Sequence, residues 1–187
     1  MLLIRHAATH FNVEHQKVVK EFGVESEEFR AFKARRDLVD PPLSELGLAQ
    51  CASGREHINR IDFKVVLVSP MLRTCMTTVE LFREHPNKEN IKFILYPLAK
   101  ESAHLCNDFM KGPFKEQIYD QFCDPARCAG LKFDFQFMLG AFGCESTLQF
   151  NVIADLESLQ IPYSFLDPEE MADGVGTMNQ AVDRVLE

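Results

Sequence analysis

Arg5, His6 and Arg73 are the residues whose types and settings suit them to shared chemistry. Leu2-Leu3-Ile4 runs directly into Arg5-His6-Ala7-Ala8-Thr9-His10-Phe11-Asn12, and Val65-Val66-Leu67-Val68 runs into Ser69-Pro70-Met71-Leu72-Arg73-Thr74. Each apolar run reads as a short buried strand with polar residues at its carboxyl end. In an open α/β sheet, ligands bind in the crevice outside those ends. Guanidinium groups pair with phosphoryl oxygens through planar forks. Two arginines and an imidazole gathered there would form a compact site for a phosphoryl group.

The elements that must position these residues alternate between strand and helix. A strand is expected at about 2–5. The polar stretch 13–37 follows, in which Val18, Val19, Phe22, Phe29 and Phe32 recur at mainly helical spacing, giving one or two amphipathic helices. After Pro41-Pro42, Ser44 is placed to cap a helix of about 45–58, with Glu45 suited to the dipole of its first turn. A strand at about 64–68, a helix at about 71–84 ending before Pro86 and a strand at about 91–95 complete this series. Region 97–144 is irregular and crowded with phenylalanine, including Phe109, Phe114, Phe122, Phe133, Phe135, Phe137 and Phe142. It reads as a variable cap over the site, with short helices near 114–122 and 145–160. Met171 to Leu186 reads as a last helix, weakened at Gly174 and Gly176. The alternation implies a three-layer α/β/α sandwich with a mostly parallel sheet.

With 187 residues, the chain fits a single domain with one substantial core. No apolar run approaches the roughly 20 residues that span a bilayer, and no secretory signal is visible, which fits a cytoplasmic protein without a membrane partner. The net charge of −8 argues against nucleic acid, whose backbone calls for a basic face. It leaves room for a small phosphorylated substrate in a locally positive pocket. The six cysteines form no C-x-x-C pair and read as reduced thiols. Cysteine and histidine do not cluster at metal-ligand spacing, so neither metal nor cofactor is expected.

Taken together, these segments resemble the histidine phosphatase superfamily, the phosphoglycerate-mutase-like fold. Arg5 to Asn12 matches its R-H-G-x-[ST]-x-x-N signature except at Ala7. Asp40-Pro41-Pro42-Leu43-Ser44-Glu45-Leu46-Gly47 is similar to D-x-P-L-[ST]-x-x-G. Ser69-Pro70-Met71-Leu72-Arg73, with Thr77 behind it, resembles S-P-x-x-R-x-x-x-T, and Glu101 stands where the family has a glutamate after its third strand. The resemblance covers roughly the first 110 residues. Against the family, stretch 13–37 looks like an insertion near the site mouth.

The resemblance implies a phosphatase that cleaves a phosphomonoester, on a small metabolite or a phosphoprotein, through a phosphohistidine. His6 would be the nucleophile, Arg5 and Arg73 would grip the phosphoryl oxygens, and Glu101 would protonate the leaving oxygen. Asn12 and Thr9 would contact the substrate. Asp108 is a nearby carboxylate that competes with Glu101 for the acid role. Alone, a histidine after a strand or an arginine on a helix has an ordinary structural role, and it is the ordered combination that points to a site. The family's second histidine, normally after a late strand, has no counterpart beyond His104. A fragment ending inside the helix before that strand is the expectation. Two alternatives stand: a phosphoglycerate-type mutase, which Ser102-Ala103-His104-Leu105-Cys106 after Glu101 disfavours, and a non-catalytic phosphate-binding or scaffolding pseudoenzyme.

Overall fold

The computed structural model describes residues 2–96, 99, 106–108, 115–136 and 138. It combines helices with a three-stranded parallel sheet in the order β1-β2-β3, with β1 Val65–Val68, β2 Lys92–Leu95 and β3 Phe133–Asp134. Val66 pairs with Phe93, Val68 with Leu95, and Phe93 with Phe133. This is the expected α/β architecture. Parallel neighbours need a crossover, and α4, Leu72–Phe82, supplies the one between β1 and β2.

Alternation fixes which sheet face meets the core. Val68, Phe93 and Leu95 lie on one face and are buried, whereas Val65 and Leu67 on the other are exposed. The buried face joins Cys75, Leu81 and Phe82 of α4 and Cys51 and Ile58 of α3, Glu45–Asn59. Across that helix pair, Arg55 donates to the Glu80 carboxylate and to the Glu80 carbonyl, each at 2.8 Å. The π-helical turn Lys115–Tyr119 brings Ile118 into the same core, and α5, Asp120–Phe122, adds Phe122.

Two helices occupy the stretch after the first motif, α1 His10–Phe22 and α2 Glu27–Lys33. Ser26 caps α2 by accepting the Phe29 N–H at 3.0 Å. Phe11, Phe32 and Leu38 form a small second core. His15 lies between rings, stacked on Phe11 at 5.7 Å and edge-on to Phe29 at 5.4 Å.

The strand expected at 2–5 does not form. Leu2, Leu3 and Ile4 are exposed and in no ladder. An apolar triplet carries strand propensity, but a strand also needs a paired edge and a covered face, and the described residues provide neither there. Conversely, β3 lies inside what reads as an irregular cap, since two residues are too few to leave a periodic signal. The helices expected at 145–160 and 171–186 lie outside the described residues.

The thiols fit reduced cysteines. Cys51, Cys75, Cys123 and Cys128 are all unbridged, and only Cys123 of these is exposed. Burial pushes the Cys51 and Cys128 thiols up to about 11 and raises Cys75 further.

Burial holds the His15 imidazole below its ordinary 6.5. The unfolded chain therefore takes up this proton first, and stability from this source is lost as pH falls through 6.5 toward the lowered folded value. Urea midpoints should fall between pH 7 and about pH 5, and His15→Phe should make that fall shallower. An unchanged pH profile in the variant would place the acid-sensitive group elsewhere.

Candidate active site

The sequence motifs meet through one segment, Asp40 to Gly47, which touches both the His6 loop and α4. On the loop side, Thr9 bridges to Leu43 and the His10 N–H donates to the Pro42 carbonyl at 3.3 Å. The Ala8 carbonyl accepts from both the backbone N–H and the hydroxyl of Ser44, each at 2.9 Å. Ser44 also caps α3, its hydroxyl accepting the Gly47 N–H at 3.2 Å. A Cβ on Gly47 would stand 2.1 Å from the Ala8 carbonyl oxygen, so this glycine is dictated by close backbone approach. From α3, Gln50 accepts the Ala8 N–H at 2.9 Å.

On the helix side, Asp40 is the hub. It is 1% exposed and sits at φ +38°, a left-handed conformation that Asp tolerates better than most residues. Its carboxylate accepts the Leu72 N–H at 3.0 Å and the Gln117 Nε2 at 2.5 Å, and lies 3.7 Å from Arg73 Nη1. Met71, at the head of α4, provides no side-chain cap. Asp40 fills that role from 32 residues away, and its negative charge suits the helix N-terminus.

Arg73 is 1% exposed. Besides Asp40, it meets Asp108 Oδ1 at 3.3 Å through Nη2 and donates through Nη1 to the Asn107 carbonyl. Asn107 Nδ2 donates to the same Asp108 oxygen at 3.0 Å, while Asn107 Oδ1 and the Ser69 hydroxyl are buried with no partner among the described residues. Thr77, one turn beyond Arg73, donates its hydroxyl to the Arg73 carbonyl at 2.7 Å and accepts the Ala7 N–H at 3.1 Å. Ala7, next to His6, is thereby fastened to the turn of α4 that carries Arg73.

His6 is half-buried, and its Nδ1 lies 2.8 Å from the Ala7 carbonyl oxygen. A proton on Nδ1 satisfies that carbonyl, which leaves the lone pair on Nε2. Arg5 is exposed. Thr9 and Asn12 engage each other in the capping box of α1: the Thr9 N–H and hydroxyl both donate to Asn12 Oδ1 at 2.9 Å, and the Asn12 N–H returns to Thr9 Oγ1 at 3.3 Å. Thr9 is 1% exposed. Their visible work is to shape the loop after His6. Glu101 lies outside the described residues. Asp108, named in the sequence only as a rival acid, is a second carboxylate beside Arg73.

The sequence displayed Asp40, Gly47 and Thr77 as motif positions without a task, and Gln117 carried no signal. Their partners lie between 32 and 77 residues away, beyond any local pattern. Among the described residues no group of three or more His, Cys, Asp or Glu could hold a metal ion, and no helix is long and apolar enough to cross a membrane.

Comparison with known families covers the two middle motifs and leaves Arg5 to Asn12 and Glu101 outside the matched segment. Residues 25–95 match the histidine phosphatase superfamily (branch 1), a segment that contains Asp40 to Gly47, β1 and Arg73. That segment is similar to a superfamily of phosphatase and mutase-type enzymes and spans 71 of the 187 residues. No curated protein and no solved structure matches the chain.

Gly47→Ala should unseat the His6 loop and destabilise the fold by about 1–3 kcal/mol, the usual cost of forcing atoms into a packed site. Gly54→Ala is the control: its Cβ would meet only a side-chain methyl, Leu81 Cδ2, at 3.1 Å, and the gain in helix propensity should offset this to within about 1 kcal/mol. Equal urea midpoints for the two variants would contradict the seating role of Gly47.

Proposed function

We propose that the protein is a phosphatase that hydrolyses a phosphomonoester through a phosphohistidine on His6. The observation that carries this reading is the His6 Nδ1 contact with the Ala7 carbonyl. It supports a tautomer with the proton on Nδ1, in which Nε2 would be the nucleophile, and imidazole attack on phosphorus splits one hard displacement into two easier ones. Nε2 would form a bond to phosphorus as the ester oxygen leaves with the electron pair of the P–O bond. A proton from an acid, assigned in this reading to Glu101, would neutralise that oxygen. Water then breaks the P–N bond and releases inorganic phosphate.

Arg73 supplies the positive charge for the phosphoryl oxygens from a fixed helix, and pre-organised charge is commonly the largest catalytic contribution. Arg5, on the solvent side of the loop, would join it when substrate is bound. Thr9 and Asn12 would serve by fixing the loop rather than by touching the substrate. Substrates would be small phosphorylated metabolites or phosphoproteins, without a cofactor, in the cytoplasm.

The pairing of Arg73 with Asp40 and Asp108 favours a second reading, a phosphate-binding or scaffolding module in which this charge is structural. Turnover separates the two. A simple aryl phosphate should be hydrolysed, His6→Ala should remove the activity, and Arg73→Ala should lower kcat/KM by about 100-fold or more. Turnover that survives His6→Ala would defeat the phosphohistidine mechanism, and a folded chain that binds phosphate without turnover would support the module.

A further inference from the structure

Threonines inside helices commonly turn the hydroxyl back onto the carbonyl one turn earlier. In α4, Thr78 does this to the Thr74 carbonyl at 2.9 Å, and Thr77 to the Arg73 carbonyl at 2.7 Å. Thr77 differs in what its oxygen does next. With the proton committed to the Arg73 carbonyl, Oγ1 can only accept, and it takes the Ala7 N–H at 3.1 Å from 70 positions away. This contact is buried, and Thr77 is 5% exposed. Ala7 is held at both its polar groups, since its carbonyl is the one that faces His6 Nδ1 at 2.8 Å. A series of contacts therefore runs from the turn that carries the guanidinium, through Thr77 and Ala7, to the imidazole.

We propose that Thr77 is a positioning residue for the reaction: by pinning Ala7, its hydroxyl holds the carbonyl that keeps the His6 proton on Nδ1 and so presents Nε2 to phosphorus. This inference rests on the reading of His6 as the nucleophile. A ring released from that carbonyl can carry its proton on either nitrogen, and one protonated on Nε2 has no lone pair there with which to attack. The same hydroxyl sets the loop against the Arg73 turn, so its loss would also misplace the nucleophile relative to the charge that receives the phosphoryl oxygens.

The test compares Thr77→Val, which keeps the β-branched shape without the hydroxyl, with Thr77→Ser, which keeps the hydroxyl. Thr78→Val is the control, because it removes a back-bonding hydroxyl of α4 that does not reach the His6 loop. Turnover of a simple aryl phosphate by the full chain and the nitrogen-15 spectrum of His6 are the readouts. Thr77→Val should lower kcat by about 10- to 100-fold, the scale of a displacement of about 1 Å at a reacting group. KM should stay within about twofold, because the lost contact serves the transition state. Thr77→Ser and Thr78→Val should stay near the unsubstituted protein. The spectrum should place the His6 proton on Nδ1 in the unsubstituted protein and in Thr77→Ser, and on both nitrogens in exchange in Thr77→Val. Unchanged kcat or an unchanged tautomer in Thr77→Val would overturn the proposal, as would an equal loss in Thr78→Val. Absence of turnover in the unsubstituted protein would instead overturn the phosphatase reading, and the tautomer comparison would still decide whether Thr77 governs the ring. A further measurement needs no substitution: the Ala7 amide should exchange with solvent as slowly as those of α4, and far more slowly than those of Leu3 and Ile4. An Ala7 amide as fast as theirs would overturn the proposal even if Thr77→Val fails to fold.

Discussion

A guanidinium removed from water must be met by opposite charge, and much of this site follows from how Arg73 is met. One of its partners is Asp40, whose carboxylate also takes the first N–H of α4 and the Gln117 amide. Breaking a buried ion pair from one side commonly costs about 3–5 kcal/mol because the remaining charge is left uncompensated. The left-handed backbone at Asp40 costs about 1–3 kcal/mol more and persists only where surroundings over-determine it. Here they do. Two elements distant in sequence, α4 and the Lys115–Tyr119 turn, converge on one carboxylate, and the loop that follows it carries the rest of the site.

From Asp40 the chain continues through Pro42, Leu43 and Ser44, which bind the loop after His6, to Gly47, which admits the Ala8 carbonyl against α3. Thr77 closes the circuit by joining Ala7 to the Arg73 turn. The spatial relation between imidazole and guanidinium is thus set by backbone contacts on both sides, without direct contact between the two side chains being needed. In the proposed mechanism, a nucleophile and a charge-stabilising group on such fixed supports would avoid reorganisation during reaction. Helices α1 and α2 begin where this circuit ends, and the Thr9–Asn12 cap joins α1 to the site.

Much of this could be read in the sequence because short-range rules governed it. Ser44 announced the start of α3, Pro86 the end of α4, and the valine run β1; each depends on neighbours within a few residues. Arg73 stood out through its motif, and the structure buries it beside Asp40 and Asp108. What was not legible was long-range. Leu2-Leu3-Ile4 has the composition of a strand but finds no paired edge among the described residues, so local propensity misled. The task of Asp40 depends on Leu72, Arg73 and Gln117 at once, and that of Gly47 on a carbonyl 39 positions earlier in the chain, as the Ala8 contact shows. Asp108 looked like a proton donor by proximity in sequence to Glu101. Its contact with Arg73 is a product of the fold.

The central claim is that His6 and Arg73 act on one phosphoryl group, and a crystal structure with orthovanadate tests it most directly. The account predicts vanadium bonded to His6 Nε2, its oxygens on the Arg73 guanidinium, with His6 Nδ1 still on the Ala7 carbonyl. Vanadate bound away from His6, or at His6 with Arg73 still wholly engaged by Asp40 and Asp108, would contradict it.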